Sequence, residues 1–313
     1  MSPTILIAYD GSATAGTAVR AAAALFPTAR AIVATAPSDV AVRADSVTLA
    51  VPTMSPELIQ RTIDELHAEA HDEAERIAGE GGERARAAGL EAEVATTAVG
   101  AGITAGLLAL ARERGVDAIV CGTRGRGGFT RALLGSTSTS LLHNSELPLL
   151  VVPDGAGGLD GPAVIAYDGS EPAQRAIAVA GKLLVGRRAI VVHAWYSQYR
   201  HGRTVKALAH VEDVREVIRV LDEALEQAAS ETTSDGVERA RNAGLEATGE
   251  TLETNTGVWR TVASAARSHD AAVIVTGARG LGGARSALLG STSSGLIHNA
   301  DLPVLVVPPS DRS

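Results

Sequence analysis

Residues 117–138 read DAIVCGTRGRGGFTRALLGSTS, and residues 272–293 read AVIVTGARGLGGARSALLGSTS. Each phrase opens on a short apolar run, passes through spaced glycines, and reaches Gly-Ser-Thr-Ser ahead of a helical pattern. A strand feeding a helix through glycines is the junction of a parallel α/β unit. The same phrase written twice means that the unit belongs to something duplicated.

Working outward confirms the duplication. GSTSTSLLHNSELPLLVVP (135–153) aligns with GSTSSGLIHNADLPVLVVP (290–308), and 13 of the 19 positions are identical. GGERARAAGLEA (81–92) matches GVERARNAGLEA (236–247), and IAYDGS stands at 7–12 and 165–170. The offset is 158 from Asp10 to Asp168 but 155 from Gly122 to Gly277, so one three-residue gap falls in the middle of the copies. Each copy is the size of a domain with its own core. The expected domains are 1–154 and 161–310, joined near DGAGGLDGP (154–162), a Gly-, Asp- and Pro-rich stretch suited to a linker.

Composition narrows the function classes. The chain is 45% hydrophobic with 3% aromatics, so its cores are built from Ala, Val, Leu and Ile. A net charge of −8 argues against nucleic-acid binding, which needs a basic face. One cysteine, Cys121, cannot form an internal disulfide, which suits a reducing cytoplasm. No basic, apolar leader follows Met1, and no apolar run is long enough to span a membrane. A cytoplasmic protein without membrane partners is expected.

Each copy alternates strands and helices. In the first, strands are expected at 4–10, 29–36, 92–99, 117–122 and 147–153, with helices after Ser12, over 55–88, over 103–115 and over 136–143. In the second, strands are expected at 163–168, 188–194, 247–253, 271–276 and 302–307. Several strands are continuously apolar, the mark of a parallel sheet covered on both faces. The expected fold is α/β: two tandem doubly wound, Rossmann-like domains, whose ligands sit beyond the carboxyl ends of the strands.

The glycine phrase has spacing Gly122-x2-Gly125-x9-Gly135-Ser136, repeated as Gly277-x2-Gly280-x9-Gly290-Ser291. Glycines let backbone amides approach a ligand, and a Gly-Ser helix start adds amides, hydroxyls and the positive dipole end. Together these make a phosphate site, with Ser136, Thr137 and Ser138, or Ser291, Thr292 and Ser293, as donors. A P-loop is excluded, because no lysine precedes Lys182. The dinucleotide fingerprint is excluded, because the first strand ends in Asp10-Gly11-Ser12 rather than in its glycines. A carboxylate there, Asp10 or its twin Asp168, suits the hydroxyls of a ribose.

On these residues, with the Pro-(Leu/Val)-Leu-Val-Val final strand, both halves resemble the universal stress protein family. The resemblance implies domains of the HUP type, with five parallel strands in the order 3-2-1-4-5. It also implies an adenine-nucleotide site in each half, for ATP alone or with Mg2+. Asp10 and Asp168 match the ribose and adenine position, and Ala36 and Ala194 the position whose backbone meets adenine. Gly122, Gly125, Gly135, Ser136, Thr137 and Ser138 match the phosphate loop, as do Gly277, Gly280, Gly290, Ser291, Thr292 and Ser293. Arg124 and Arg279 lie inside the x2 gap and are read as phosphate-facing. ATAP (34–37) in the first copy departs from VHAW (192–195) in the second, the more usual form.

The resemblance further implies an intramolecular pseudo-dimer of the two halves, homodimers through the final-strand edges, and a role as a nucleotide-dependent regulator of stress responses. No nucleophile with a paired base and no metal cluster is read from the sequence, so catalysis is not expected beyond slow ATP hydrolysis. A protein-interaction scaffold without nucleotide is the alternative, and a hydrolase of the wider adenine-nucleotide group is a second. His67 and His71 read as a solvated helix face, Trp195 and Trp259 as packing residues, and Cys121 as a small buried residue.

Overall fold

The computed structural model describes residues 2–37, 55–98, 102–125, 134–197, 212–279 and 289–309. Two compact units divide the chain, Met1–Ala156 and Gly157–Ser313. The first contains β1 (Thr4–Ala8), α1 (Ala13–Leu25), β2 (Arg30–Thr35), α2 (Pro56–Ala87), β3 (Glu91–Thr96), α3 (Ile103–Glu113), β4 (Ala118–Gly122), α4 (Ser136–Asn144) and β5 (Leu149–Val152). The second contains β6 (Ala163–Ala166), α5 (Glu171–Leu183), β7 (Arg188–Trp195), α6 (Glu212–Asn242), β8 (Glu246–Glu253), α7 (Val258–Ser268), β9 (Val273–Gly277), α8 (Ser291–Asn299) and β10 (Val304–Val307).

Every strand pair within a unit is parallel. In the first unit β1 lies between β2 and β4, β3 pairs with β2, and β5 with β4, giving the order 3-2-1-4-5. The second unit repeats it, with β6 between β7 and β9, β8 beside β7, and β10 beside β9. Ile5, Leu6, Ile7, Ile119, Val120, Leu149 and Leu150 are buried in the first unit, and Val164, Ile165, Val275, Ile274 and Leu305 in the second. Strands read as continuous apolar runs are therefore covered on both faces. Strand ends differ from the sequence expectation by at most three residues; β3, for instance, stops at Thr96 rather than 99.

Small residues set how the long helices lie. A Cβ on Gly81, inside α2, would stand 2.6 Å from Tyr9 Cδ1 and 2.7 Å from Val33 Cγ1. A Cβ on Gly236, inside α6, would stand 2.6 Å from Tyr167 Cδ1 and 2.8 Å from Val191 Cγ1. The GGERARA and GVERARN repeats thus carry a packing device: a helix-interior glycine, normally unfavourable by about 1 kcal/mol against Ala, is retained where a tyrosine needs its space. Gly115 ends α3 in the left-handed region at φ 59. Among the described residues, no helix is long and apolar enough to cross a membrane.

Candidate nucleotide site

The end of strand β1 runs into Tyr9-Asp10-Gly11-Ser12, where Gly11 turns the chain at φ 81. Asp10 Oδ1 accepts a hydrogen bond from the Ser12 amide at 3.0 Å, and Ser12 Oγ accepts from the Ala15 amide at 3.1 Å. This caps α1. The second unit does the same: Gly169 has φ 78, and the Asp168 carboxylate accepts from the Ser170 amide at 3.0 Å and from its hydroxyl. Ser170 Oγ in turn accepts from the Ala173 amide at 3.4 Å. Each aspartate thus has a turn to hold, and Asp10 also lines a cavity. A carboxylate offers about four lone-pair positions, more than these turn hydrogen bonds use.

Beyond β4 the three glycines differ in what they avoid. A Cβ at Gly122 would stand 2.7 Å from Thr14 Cγ2, so this glycine lets α1 approach the sheet. A Cβ at Gly125 would stand 2.4 Å from Asp10 Oδ2, so this one brings the loop against the strand-end carboxylate. At Gly135 a Cβ would meet nothing closer than Thr123 O at 3.4 Å, and the backbone has an ordinary extended conformation, φ −65 and ψ 157. The protein's own packing does not require a glycine there.

Gly135 is the N-cap of α4 and brings no capping side chain. Its amide donates to Thr123 O at 2.7 Å, fastening the loop to the helix start. Ser138 Oγ donates to the same carbonyl at 3.1 Å or to Gly135 O at 3.0 Å. The second unit repeats this arrangement: Gly290 is a cap without a side chain, its amide donates to Ala278 O at 2.7 Å, and Ser293 Oγ donates to Ala278 O at 2.9 Å or Gly290 O at 3.1 Å. This corrects one expectation. The Ser138 and Ser293 hydroxyls are directed into the loop as donors, because both side chains are buried under the turn. Their backbone amides remain with the rest of the first turn.

These elements enclose a cavity of about 500 Å³ in the first unit. All nine residues expected there line it: Asp10, Ala36, Gly122, Arg124, Gly125, Gly135, Ser136, Thr137 and Ser138. The volume is ordinary for a small-molecule site. One end is polar, formed by the α4 N-terminus. The other walls are small or apolar, including Ala8, Ala15, Ala34, Ile103, Leu107 and Cys121. The sequence reading did not single out these alanines, Tyr9, or the start of α3. The signal available was the alanine spacing at 8, 15 and 34, where three wall positions carry no bulk. Burial pushes the Cys121 thiol up to about 12, so it serves as an inert wall.

Arg124 lines the cavity, and one of its terminal nitrogens lies 3.8 Å from an Asp154 carboxylate oxygen. In the second unit Asp168 lies just past β6, Ala194 stands before the last residue of β7, Gly277 ends β9, and Gly290, Ser291, Thr292 and Ser293 open α8. Gly277 is again a close-approach position, with a would-be Cβ 2.9 Å from the Pro172 backbone. Gly280 lies outside the described residues. Arg279 Nε is buried without a hydrogen-bond partner among the described residues.

Other features have structural roles. Arg260 lies over the Trp259 ring at 4.4 Å from its centre, and Gly295 packs on that indole. His71 pairs with Glu75 at 3.3 Å. His67 is not the solvated residue expected: its Nε2 is buried without a partner among the described residues. Among the described residues no three His, Cys, Asp or Glu side chains are grouped to hold a metal.

Comparison with known proteins gives a family. The universal stress protein family profile matches residues 1–153 and again 162–308. A universal stress protein of Mycolicibacterium smegmatis is 30% identical over 203 residues, 63% of this chain and 63% of that protein. One from Mycobacterium tuberculosis is 31% identical over 203 residues, 61% of each. The chain thus matches less than two thirds of the length of these relatives. Among solved structures, a universal stress protein from Archaeoglobus fulgidus is similar in fold, with a TM-score of 0.63 at 20% identity over 98% of this chain and 99% of that one. A protein of unknown function from Pseudomonas aeruginosa reaches 0.52 at 16% identity, over 98% of this chain and 93% of that one.

Proposed function

Because this chain belongs to the universal stress protein family through both of its halves, we propose that it binds an adenine nucleotide, ATP foremost, in each half and acts as a nucleotide-dependent regulator of stress responses. The observation that carries the reading is a cavity of the first unit, which gathers an uncapped helix N-terminus, a strand-end carboxylate and small apolar walls. The first-turn amides of α4 and the helix dipole suit a phosphate tail. Asp10 accepts from ribose hydroxyls, and the alanine walls leave a slot for a flat base. Gly135 is the local fit test, since it lines the cavity at a position where the fold's own packing does not require a glycine.

Binding rather than turnover is the activity proposed. Among the described lining residues the ionisable side chains are Tyr9, Asp10, Cys121 and Arg124. Asp10 accepts from the Ser12 amide, Arg124 is paired with Asp154, and the Cys121 thiol stays protonated, which leaves no activated nucleophile with its own base. A Mg2+ ion would arrive with the nucleotide, since Asp10 is the only carboxylate among those lining residues. Association of whole chains belongs to the same reading and is measured by light scattering.

Isothermal titration with ATP tests the proposal, together with mass spectrometry of nucleotide released from denatured, freshly purified protein. Two ATP bound per chain is the expected result. No heat, no thermal shift at millimolar ATP and no carried nucleotide would overturn it and favour the scaffold alternative.

A further inference from the structure

The two halves differ at the phosphate end of their sites. The strands β5 and β10 leave the sheet in the sequences VVPD (151–154) and VVPP (306–309), so Asp154 in the first copy is replaced by Pro309 in the second. Asp154 stands 3.8 Å from Arg124. Arg279, at the repeat position of Arg124, has no ion-pair partner among the described residues, and its Nε is buried without a hydrogen bond.

Among the described residues Arg279 thus has no acidic partner. Ala278, its neighbour, gives its carbonyl to the Gly290 amide at 2.7 Å and to the Ser293 hydroxyl at 2.9 Å, which holds the Arg279 backbone against the start of α8. That helix end carries the equivalent of about half a positive charge. Arg279 is half-buried, lacks among the described residues the carboxylate its twin has, and its buried Nε has no hydrogen-bond partner, which is unfavourable for a cation. An anion resolves both deficits. In the first unit Asp154 already supplies one negative charge, and it competes with a ligand for Arg124.

Resting on the nucleotide reading above, we infer that the second half's site discriminates nucleotides by phosphate charge more steeply than the first, favouring triphosphate over monophosphate through Arg279. The first half's site, with its cation shared by Asp154, responds to the nucleoside more than to the length of the tail.

Competition binding of AMP, ADP and ATP tests this on full-length single-site proteins, Gly290→Ala for the first site and Gly135→Ala for the second, each checked by thermal melting. The ATP-to-AMP affinity ratio of the second site is expected to exceed that of the first by about fivefold, the scale of one partly exposed ion pair. Pro309→Asp should bring the second ratio down to the first, Asp154→Asn should raise the first, and Arg279→Gln should lower the second about tenfold by removing a charge-assisted contact. Equal ratios in the two sites would overturn the inference, as would a second ratio that neither Pro309→Asp nor Arg279→Gln changes. Wild-type protein that binds none of the three nucleotides would overturn the functional reading itself, and this inference with it.

Discussion

Gly135→Ala separates what the fold needs from what a ligand needs. The position has φ −65 and ψ 157, which any residue adopts, and a Cβ there has Thr123 O, Arg124 Cα and Ser138 Oγ at 3.4, 3.5 and 3.6 Å, all ordinary contacts. Alanine is a poorer N-cap than glycine by about 0.5–1 kcal/mol, and it stiffens the unfolded chain by about 0.4–1 kcal/mol in the opposite sense. The two nearly cancel, so the melting temperature should move by no more than about 2 °C. The new methyl group nevertheless adds bulk at a residue that lines the cavity beside the α4 N-terminus. Displacing a phosphate from one charge-assisted hydrogen bond costs about 1.5–3 kcal/mol, or about 10- to 100-fold in affinity. Titration calorimetry at ATP concentrations that fill both wild-type sites should find two nucleotides per wild-type chain and one per variant. A variant that binds two with unchanged affinity would show that α4 does not hold the phosphates. A melting temperature lowered by more than about 5 °C would show that the glycine serves packing after all.

Other substitutions divide along the same line. Asp10→Asn keeps an acceptor for the Ser12 amide, so stability should hold while first-site ATP affinity falls about tenfold, as a charged acceptor becomes neutral; an unchanged affinity by titration would remove Asp10 from the site. Gly236→Ala should destabilise the second unit by about 1–2 kcal/mol, because overpacking against Tyr167 and Val191 outweighs the roughly 1 kcal/mol gain in helix propensity, and urea unfolding measures it. Burial, and then the hydrogen bond to Asp235, pushes the Tyr167 phenol up to about 12. Its neutral form is favoured in the folded state, so that stability is whole below pH about 10 and is lost as pH rises through about 12; melting curves from pH 9 to 11.5 should fall less steeply for Tyr167→Phe than for wild type. Cys121, its thiol likewise pushed up to about 12, should alkylate at pH 8 about a thousandfold more slowly than an ordinary cysteine, as followed by mass spectrometry.

How much of this was legible in the sequence depends on which atoms bear each constraint. The strand order followed from the family resemblance alone, whereas the placing of Asp10, Gly122 and Gly135 near strand ends and helix starts followed from apolar runs and turn residues, which act within a few residues. The division of labour among the glycines did not. Gly122, Gly125 and Gly135 look alike in one dimension, yet one clears Thr14, one clears Asp10, and one has only ordinary contacts, with Thr123 O, Arg124 Cα and Ser138 Oγ. The first two partners lie more than a hundred residues away in the chain, and the third glycine has no neighbour close enough to require it. Ser138 and Ser293 were read as ligand donors because a Ser-Thr-Ser helix start offers three hydroxyls, whereas the backbone claims the third for its own turn carbonyls. The Asp154-to-Pro309 exchange was visible in the repeat, but it acquires meaning only when Asp154 is found 3.8 Å from Arg124 and Arg279 without a counterpart. Differences between the copies are thus where duplicated sites diverge, and identities such as Gly81 and Gly236 are where both cores are pinned. The repeat separates these two classes, and only the three-dimensional neighbours show which identities belong to packing and which to a ligand.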